Sequence, residues 1–590
     1  MIKTPKIRQR PANQAVFDAA KQLGLSDLQA LLVANRIDDT THLDKIVFPK
    51  LKHIQHPSAL KNSEQAAHLI SQAIQSDGVI VLATDYDTDG VTSAWVARTA
   101  LVDYFGVPAE RVIHIIGERK SGYGITDEVV DRILDIPTPI ALVISADQGS
   151  SDEPRIARLK ASGIKVCVTD HHQMPQEGPP KSATCTVNPQ QSGCEYDKTV
   201  AGCYVIFIVM SQVRQVLIAT GILPKETPSL KALAMNVALG TVADSVSLKS
   251  ANNRAIVQAG LQFINQFQSP AWQAMRLLND NQEQPYDAEF LGFQVATRIN
   301  AASRVSDVTT AFHFLTASTT QQAQTHLEQL DSDNINRRNQ QDGMLQQAKE
   351  IAEKTYHPNK YTLTVRMQGN AGIQGIIASR IGEQYGLPTI AMTDLKDGFI
   401  AGSGRGIVPS IDLRDAFQWM ADQHDGLFVS MGGHAGAAGC MIPEENFDVF
   451  ETLFEQAIQN QLGDEAPTPT IETDGPLQGW QLTPQLIKEL NLLEPYGREW
   501  PKPLFSGVFL VSEIKAVGQT KTHLSFKLMS DDNKRISAIY FNAKESDKEL
   551  DPFAKGDQIE CVYQPSLNIY YGRTTLQLRL VSAQKIKSIK

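Results

Sequence analysis

The sequence predicts an α/β protein of two lobes joined by a long helix, with a small β-rich unit at its C-terminal end. Three observations lead there. Short β-branched runs, VIVLAT (79–84), ALVI (141–144) and IKVCV (164–168), are separated by helical-length segments, the pattern of parallel strands joined by crossover helices. Residues 319–354 are rich in Gln, Asn and charge with sparse apolar positions, which suits a bridging helix better than a core one. Roughly the last 115 residues alternate β-rich runs with turn signals, as a small barrel or sandwich does.

Taken in order, residues 1–45 form a helical lead-in, since NQAVFDAAKQLGLSDLQALLVANR places apolar residues at helical spacing. Residues 46–318 hold the strand-and-helix alternation of the first lobe. Within it, 175–197 is a long polar loop with four prolines, a kind of loop that usually serves function and is expected to edge the site. The stretch 231–248 has helix formers up to Gly240 and sets Asp244 near an element end. The linking helix covers 319–356. A second α/β pattern fills 357–465 with YTLTVRM, GIIASRIGEQYGL and PTIAM, then the glycine-rich AGSGRG (401–406) and MGGHAGAAGC (431–440). After a boundary in 457–473, residues 466–590 carry the β-rich runs.

With 590 residues the chain exceeds one hydrophobic core, and about three to four domains are expected. Hydrophobic content of 42% with 20% charged residues is that of a globular protein. The six cysteines contain no CxxC pair, so no zinc ribbon or redox motif is suggested. The basic start MIKTPKIRQRPANQ lacks an apolar core, so no signal peptide is indicated. No apolar run is read as approaching the ~18–20 residues of a membrane span, and the reducing cytoplasm is the expected location. A net charge of −10 argues against coating nucleic acid by bulk attraction. It leaves room for an enzyme whose cations line one channel.

Three acidic clusters follow the apolar runs: DYDTDG (85–90), SADQG (145–149) and TDHH (169–172). In open parallel sheets, ligand sites form beyond the carboxyl ends of the strands. Asp85, Asp87, Asp89, Asp147, Asp170, His171 and His172 are therefore expected in one crevice. Any one cluster reads equally as turn and helix-cap chemistry, but their coincidence does not. So many carboxylates need cations between them, and imidazole beside carboxylate suits Mn²⁺ better than Mg²⁺ or Ca²⁺.

DYDTDG, SADQG, TDHH and ALGTVADSV, in that order and spacing, resemble the four motifs of the DHH phosphoesterase superfamily. GNAGIQGIIASRIGEQYGLPTI, GSGRG and GGHAGAAGC resemble its accessory DHHA1 domain, and LEPYGREWPKPLF before a β-rich tail matches members with an oligonucleotide-binding (OB) barrel. The resemblance implies a DHH parallel-sheet lobe, a DHHA1 α/β lobe and a C-terminal OB-type barrel. It implies a single-strand-specific 5′→3′ exonuclease of DNA repair and recombination that releases 5′-mononucleotides. Asp87, Asp89, Asp147, His171 and Asp244 would hold two Mn²⁺ ions, with Mg²⁺ as the alternative metal, Asp147 bridging and Asp85 in the same cluster. Asp147, Asp170 and His172 would carry the catalysis, His172 by donating to the developing charge. Two departures stand out: Ala83 replaces a histidine found in many relatives, and Gln148 replaces the usual Asn of motif two.

Processive cutting from one end needs a pocket for the terminal phosphate. Arg119, Arg298, Arg304, Ser403, Arg405 and His434 are the groups expected to form it, through guanidinium forks and glycine-rich backbone. In the C-terminal unit, Tyr563, Tyr570, Tyr571, Arg573, Lys521 and Lys527 offer stacking and backbone contacts, although core packing competes for the tyrosines. The partners implied are single-stranded DNA with a 5′ end, a single-strand-binding protein and a helicase. A monomer without membrane attachment is expected. Two other readings are an oligonucleotide or cyclic-dinucleotide phosphodiesterase and a catalytically silent DNA-binding scaffold.

Overall fold

The computed structural model describes residues 5–279, 284–464, 466–544, 546–570 and 573–586. The first lobe is built on a five-stranded, all-parallel sheet in the order Val112–Ile116, Val79–Thr84, Ile140–Ala146, Val166–Thr169, Cys185–Val187. Val79–Thr84 is buried along its whole length, as a β-branched run covered on both faces must be. Ile80 and Leu82 face the large core, while Val79, Val81 and Ala83 face a smaller one under helices Asp127–Leu134 and Glu153–Ala161. The polar stretch 175–197 is not loop throughout. It contributes the fifth strand, Cys185–Val187, because Cys185 pairs in register with Cys167.

Helix Gly202–Ala219 corrects the expectation that no apolar run reaches spanning length. It has 18 residues with a mean hydropathy of 1.6, enough by length and composition to cross a membrane, yet it is 67% buried inside the protein. It packs on helices Ser63–Gln75 and Thr88–Thr99, and its apolar surface is that of a core helix.

The 36-residue helix Thr320–Thr355 joins the lobes. Its sparse apolar residues are divided between them: Ala323, Leu327 and Leu330 enter the large core, and Met344, Ala348 and Ala352 enter the core of the second lobe. The second lobe holds a mixed sheet, Ser430–His434, Ala437–Pro443, Phe399–Arg405, Thr389–Asp394, Leu363–Met367, in which only the last pair is parallel. Its glycine-rich stretches are strands. Five antiparallel and parallel strands between Phe505 and Lys585 close into a barrel.

The lead-in is tied to the segment that follows the second lobe. Strand Lys6–Gln9 pairs with Thr470–Thr473 ahead of the barrel. Beyond the lead-in helices, Arg36 makes a two-pronged bond to Asp474 at 2.8 and 2.9 Å, with both side chains buried.

Candidate active site

Four strands end side by side, and a polar residue follows each: Asp85 after Thr84, Asp147 after Ala146, Asp170 after Thr169, Asn188 after Val187. Asp87 caps helix Thr88–Thr99, accepting from the amides of Asp89 at 2.8 Å and Gly90 at 3.1 Å. The turn is so tight that a Cβ on Gly90 would lie 2.2 Å from the Asp85 carbonyl oxygen. Asp89 accepts from the amides of Gly202 and Cys203 at 2.6 and 3.0 Å, the positive end of the core helix. Asp147 adopts a left-handed φ of 63°, which aspartate tolerates better than most residues.

These turns aim the side chains at one another. His171 Nε2 lies 3.2 Å from Asp147, 3.6 Å from Asp244 and 3.8 Å from Asp89. Donor atoms of Asp89, His171 and Asp244 lie within 4.8 Å of one another, and so do those of Asp85, Asp87 and Asp147. Burial first, and then the neighbouring carboxylates, push Asp85, Asp147 and Asp244 well above the usual carboxylate range, and Asp87 rises for the same reasons. Asp147 Oδ1, His171 Nε2 and Asp85 Oδ1 are buried without a hydrogen-bonding partner among the described residues. Buried polar atoms are rarely left so. Two adjoining sets of carboxylate and imidazole donors, each with at least one unpartnered buried atom, fit divalent cations.

Asp170 and His172 behave differently. Asp170 uses its oxygens on the amides of Ser150, His171 and His172 and on His172 Nδ1, 2.8 Å away. Burial works against a charged His172, but Asp170, helped by Asp244 and Asp85, outweighs it and lifts the ring to about 9. His171, buried and beside that charge, is held below its ordinary value and keeps a lone pair to offer.

Sequence reasoning missed the groups around this centre. The Tyr123 hydroxyl donates to the Asp147 carbonyl at 3.0 Å and lies 2.9 Å from His172 Nδ1. Asn188 bonds the His172 carbonyl and Ser150 Oγ, both at 2.9 Å. Asn300 Oδ1 accepts from the Thr88 amide at 2.8 Å. Tyr123 was within reach, four residues after Arg119 in the same turn-rich GERKSGYG. The two departures also find places: Ala83 packs in the smaller core, and the Gln148 amide is buried without a partner among the described residues.

A cationic group adjoins the acidic one. Arg119 lies over the Tyr86 ring at 4.4 Å and reaches Ser303. Arg304 donates to the Gly372 carbonyl, just before helix Gln374–Tyr385. Arg405 bonds Ser403 Oγ at 3.3 Å and crosses so close to Gly375 that a Cβ there would sit 2.5 Å from its Nη2. Burial, then Arg119 and Arg337, bring Arg304 down to about 10. Among the described residues no carboxylate pairs with Arg119, Arg304 or Arg405. Arg298 is engaged elsewhere, with Asp331 at 2.8 Å and with Gln294. His434 ends the exposed edge strand.

In the barrel, Tyr563 is fully buried against Phe505 and Phe509, which removes it as a stacking surface. Lys527 bonds Ser537 and Lys521 is exposed in a turn. Tyr570 and Arg573 pair across a hairpin by backbone register. Tyr571 lies outside the described residues.

Models of known families match three parts of the chain: the DHH family, N-terminal domain over 79–241, the DHHA1 domain over 359–460 and the RecJ OB domain over 473–582. The single-stranded-DNA-specific exonuclease RecJ of Haemophilus influenzae is 32% identical over 561 residues, 93% of this chain and 95% of that protein. The chain belongs to the RecJ family. The RecJ of Escherichia coli is 29% identical over 538 residues, 88% of this chain and 89% of its own. The crystal structure of Thermus thermophilus RecJ with Mn²⁺ shares the fold at a TM-score of 0.76 and 24% identity, across 99% of this chain and 80% of that one. Asp85, Asp87, Asp89, Asp147, Asp170, His171 and His172 thus fall in the matched DHH region, with Asp244 three residues beyond it, and Ser403, Arg405 and His434 fall in the matched DHHA1 region.

Proposed function

We propose that this RecJ-family chain is a metal-dependent exonuclease that digests single-stranded DNA from its 5′ end to 5′-mononucleotides, in DNA repair and recombination in the cytoplasm. The observation that carries this reading is the adjacency of a buried acid–imidazole cluster, in which Asp85, Asp147 and His171 keep unpartnered atoms, and an arginine group without a carboxylate partner among the described residues, Arg119 lying over the ring of Tyr86 between Asp85 and Asp87. A cutting centre beside a terminal-phosphate seat defines an exonuclease.

Asp87, Asp89, Asp147, His171 and Asp244 would hold two Mn²⁺ ions, or Mg²⁺ in their place, with Asp147 between the two donor sets and Asp85 alongside. Such ions supply an acidified water and neutralise charge that builds on the phosphoryl oxygens. Asp170 and Tyr123 fix His172, whose protonated ring donates towards that charge. Arg119, Arg304, Ser403 and Arg405 take the terminal phosphate through charge-assisted bonds, with His434 at their edge and Arg298, committed to Asp331, outside the group. Asn300, Ser303 and Arg304 share one helix, so the seat and the Thr88 turn of the metal loop stand at a fixed separation. That separation sets the cut one nucleotide from the end.

Titrating Mn²⁺ into chelator-treated protein tests this reading. Mononucleotide release from single strands should appear with metal and vanish with chelator; release without metal, or equal release from duplex, contradicts it.

A further inference from the structure

The turn between strand Val112–Ile116 and helix Asp127–Leu134 carries two groups of the site at once. Arg119 lies over the Tyr86 ring, and Tyr123 bonds the Asp147 carbonyl and His172. Little else holds the turn. Residues 118–123 are half-buried or exposed, and burial begins only at Gly124 and Ile125. A cavity of about 240 Å³, whose wall includes Ser121, Tyr123, Thr126 and Asp152, lies between the turn and the helices behind it. Within 118–125, the Ile125 amide is the one backbone group that bonds outside the turn among the described residues. Its acceptor is Asp152 Oδ2, at 2.8 Å.

Asp152 gives up a common role to do this. It stands one residue ahead of helix Glu153–Ala161, where an aspartate side chain ordinarily accepts from the amides of the first turn. Its carboxylate makes no such cap. It is turned instead onto Gly124 and Ile125. A Cβ on Gly124 would lie 2.7 and 2.8 Å from its two oxygens. Gly124 also has a left-handed φ of 86°, so only glycine lets the backbone ride directly on the carboxylate. Burial, with the Asp170 charge, lifts the Asp152 carboxyl to about 6, although the Ile125 amide, Arg155 and His172 act the other way. Arg155 is itself paired with Asp127 at 3.2 Å. Asp152 is thus neither a solvated surface acid nor, among the described residues, half of an ion pair.

The same short segment reaches the other catalytic groups. Between Asp147 and Asp152, the Ser150 amide donates to Asp170 Oδ2 at 3.0 Å, and Ser150 Oγ accepts from Asn188 at 2.9 Å. The Asp152 amide closes this stretch on the Gly149 carbonyl at 3.2 Å. One bonded stretch therefore meets both Asp170, the partner of His172, and the turn that brings Tyr123 to the same ring.

We propose that Asp152 is a positioning residue of the exonuclease, docking the 118–125 turn on the segment after Asp147 so that Arg119 and Tyr123 stand in place before substrate arrives. Without it, the turn would be held mainly by the contacts it has to make with phosphate and with His172. Small misplacements of such groups lower rates steeply. This inference rests on the exonuclease reading above.

The test uses full-length protein with Mn²⁺ on 5′-phosphorylated and 5′-hydroxyl single strands. Asp152→Ala should lower kcat about tenfold and reduce the preference for the 5′-phosphate, while the Mn²⁺-induced rise in melting temperature stays unchanged. Asp152→Asn keeps an acceptor for the Ile125 amide and should return kcat to within about threefold of wild type. Gly124→Ala leaves the carboxylate in place but drives the turn off it, and should copy the losses of Asp152→Ala. Because Asp152 acts through two other residues, adding Asp152→Ala to Arg119→Ala should remove no further phosphate preference, and adding it to Tyr123→Phe should remove no further kcat. Three results in an active wild type would each overturn the positioning role alone. They are Asp152→Ala and Gly124→Ala both unchanged, losses that add to those of Arg119→Ala and Tyr123→Phe, and Asp152→Asn no better than Asp152→Ala. A wild type that cuts neither strand overturns the exonuclease reading and this inference with it.

Discussion

His171 Nε2 and Asp147 Oδ1 face each other at 3.2 Å, both buried, and neither has a hydrogen-bonding partner among the described residues. A salt link would need a protonated ring, but burial and the charge on His172 hold His171 neutral. A lone pair aimed at a carboxylate is an arrangement that a shared cation resolves.

Asp147→Asn should therefore separate activity from stability. Asparagine keeps the left-handed backbone, so the fold survives. Nuclease activity should be lost, while the metal-free protein gains on the order of 1–3 kcal/mol because a buried carboxylate has gone. Thermal melts with and without Mn²⁺ check this: the ion should raise the melting temperature of the wild type much more than that of the variant.

Arg405→Ala removes a cation that has no carboxylate partner among the described residues. Preference for a 5′-phosphate over a 5′-hydroxyl strand should fall by about tenfold or more, the scale of one charge-assisted hydrogen bond. Competition between the two strands measures it.

Glu494 supplies a pH dependence. Burial, then Asp287 and Glu289, raise its carboxyl to about 7 despite Lys502. The folded state holds a proton that the unfolded chain releases at its lower, ordinary value. Stability is then greatest below that value and declines as pH rises towards 7. Glu494→Gln should abolish this slope and leave the variant more stable than wild type at pH 8 by about 1–2 kcal/mol. Urea denaturation at several pH values reads the slope directly.

Arg36 and Asp474 tie the lead-in to the segment before the barrel, with side chains 2% and 0% exposed. Arg36→Met removes the closest cation from the buried Asp474 carboxylate, leaving Arg10 at 3.8 Å, and should cost about 3 kcal/mol. Adding Asp474→Leu should recover most of that loss, since an apolar pair of similar volume replaces a buried ion pair at little cost. Chemical denaturation of both variants gives the comparison.

Much of this was legible in the sequence because burial on both faces forces β-branched runs, and the acids that end those runs stand out against them. The bridging helix was legible for the opposite reason: it gives only a narrow apolar stripe to each lobe. Arg298 was harder to place. It stands six residues from Arg304 on one helix, about 240° around it, so the two cannot face the same way, and sequence alone does not say which of them meets the site. Gly202–Ala219 was not read as a long apolar run, and Ser211, Gln212 and Arg214, which interrupt its sequence, sit where the helix reaches the surface.

The most direct measurement digests one single strand, labelled at either its 5′ or its 3′ end, with Mn²⁺ and with wild type or Asp147→Asn. Labelled mononucleotide should appear at once from the 5′-labelled strand and late from the 3′-labelled one, and the variant should release none. Early release of the 3′ label, or undiminished cutting by the variant, would contradict the account.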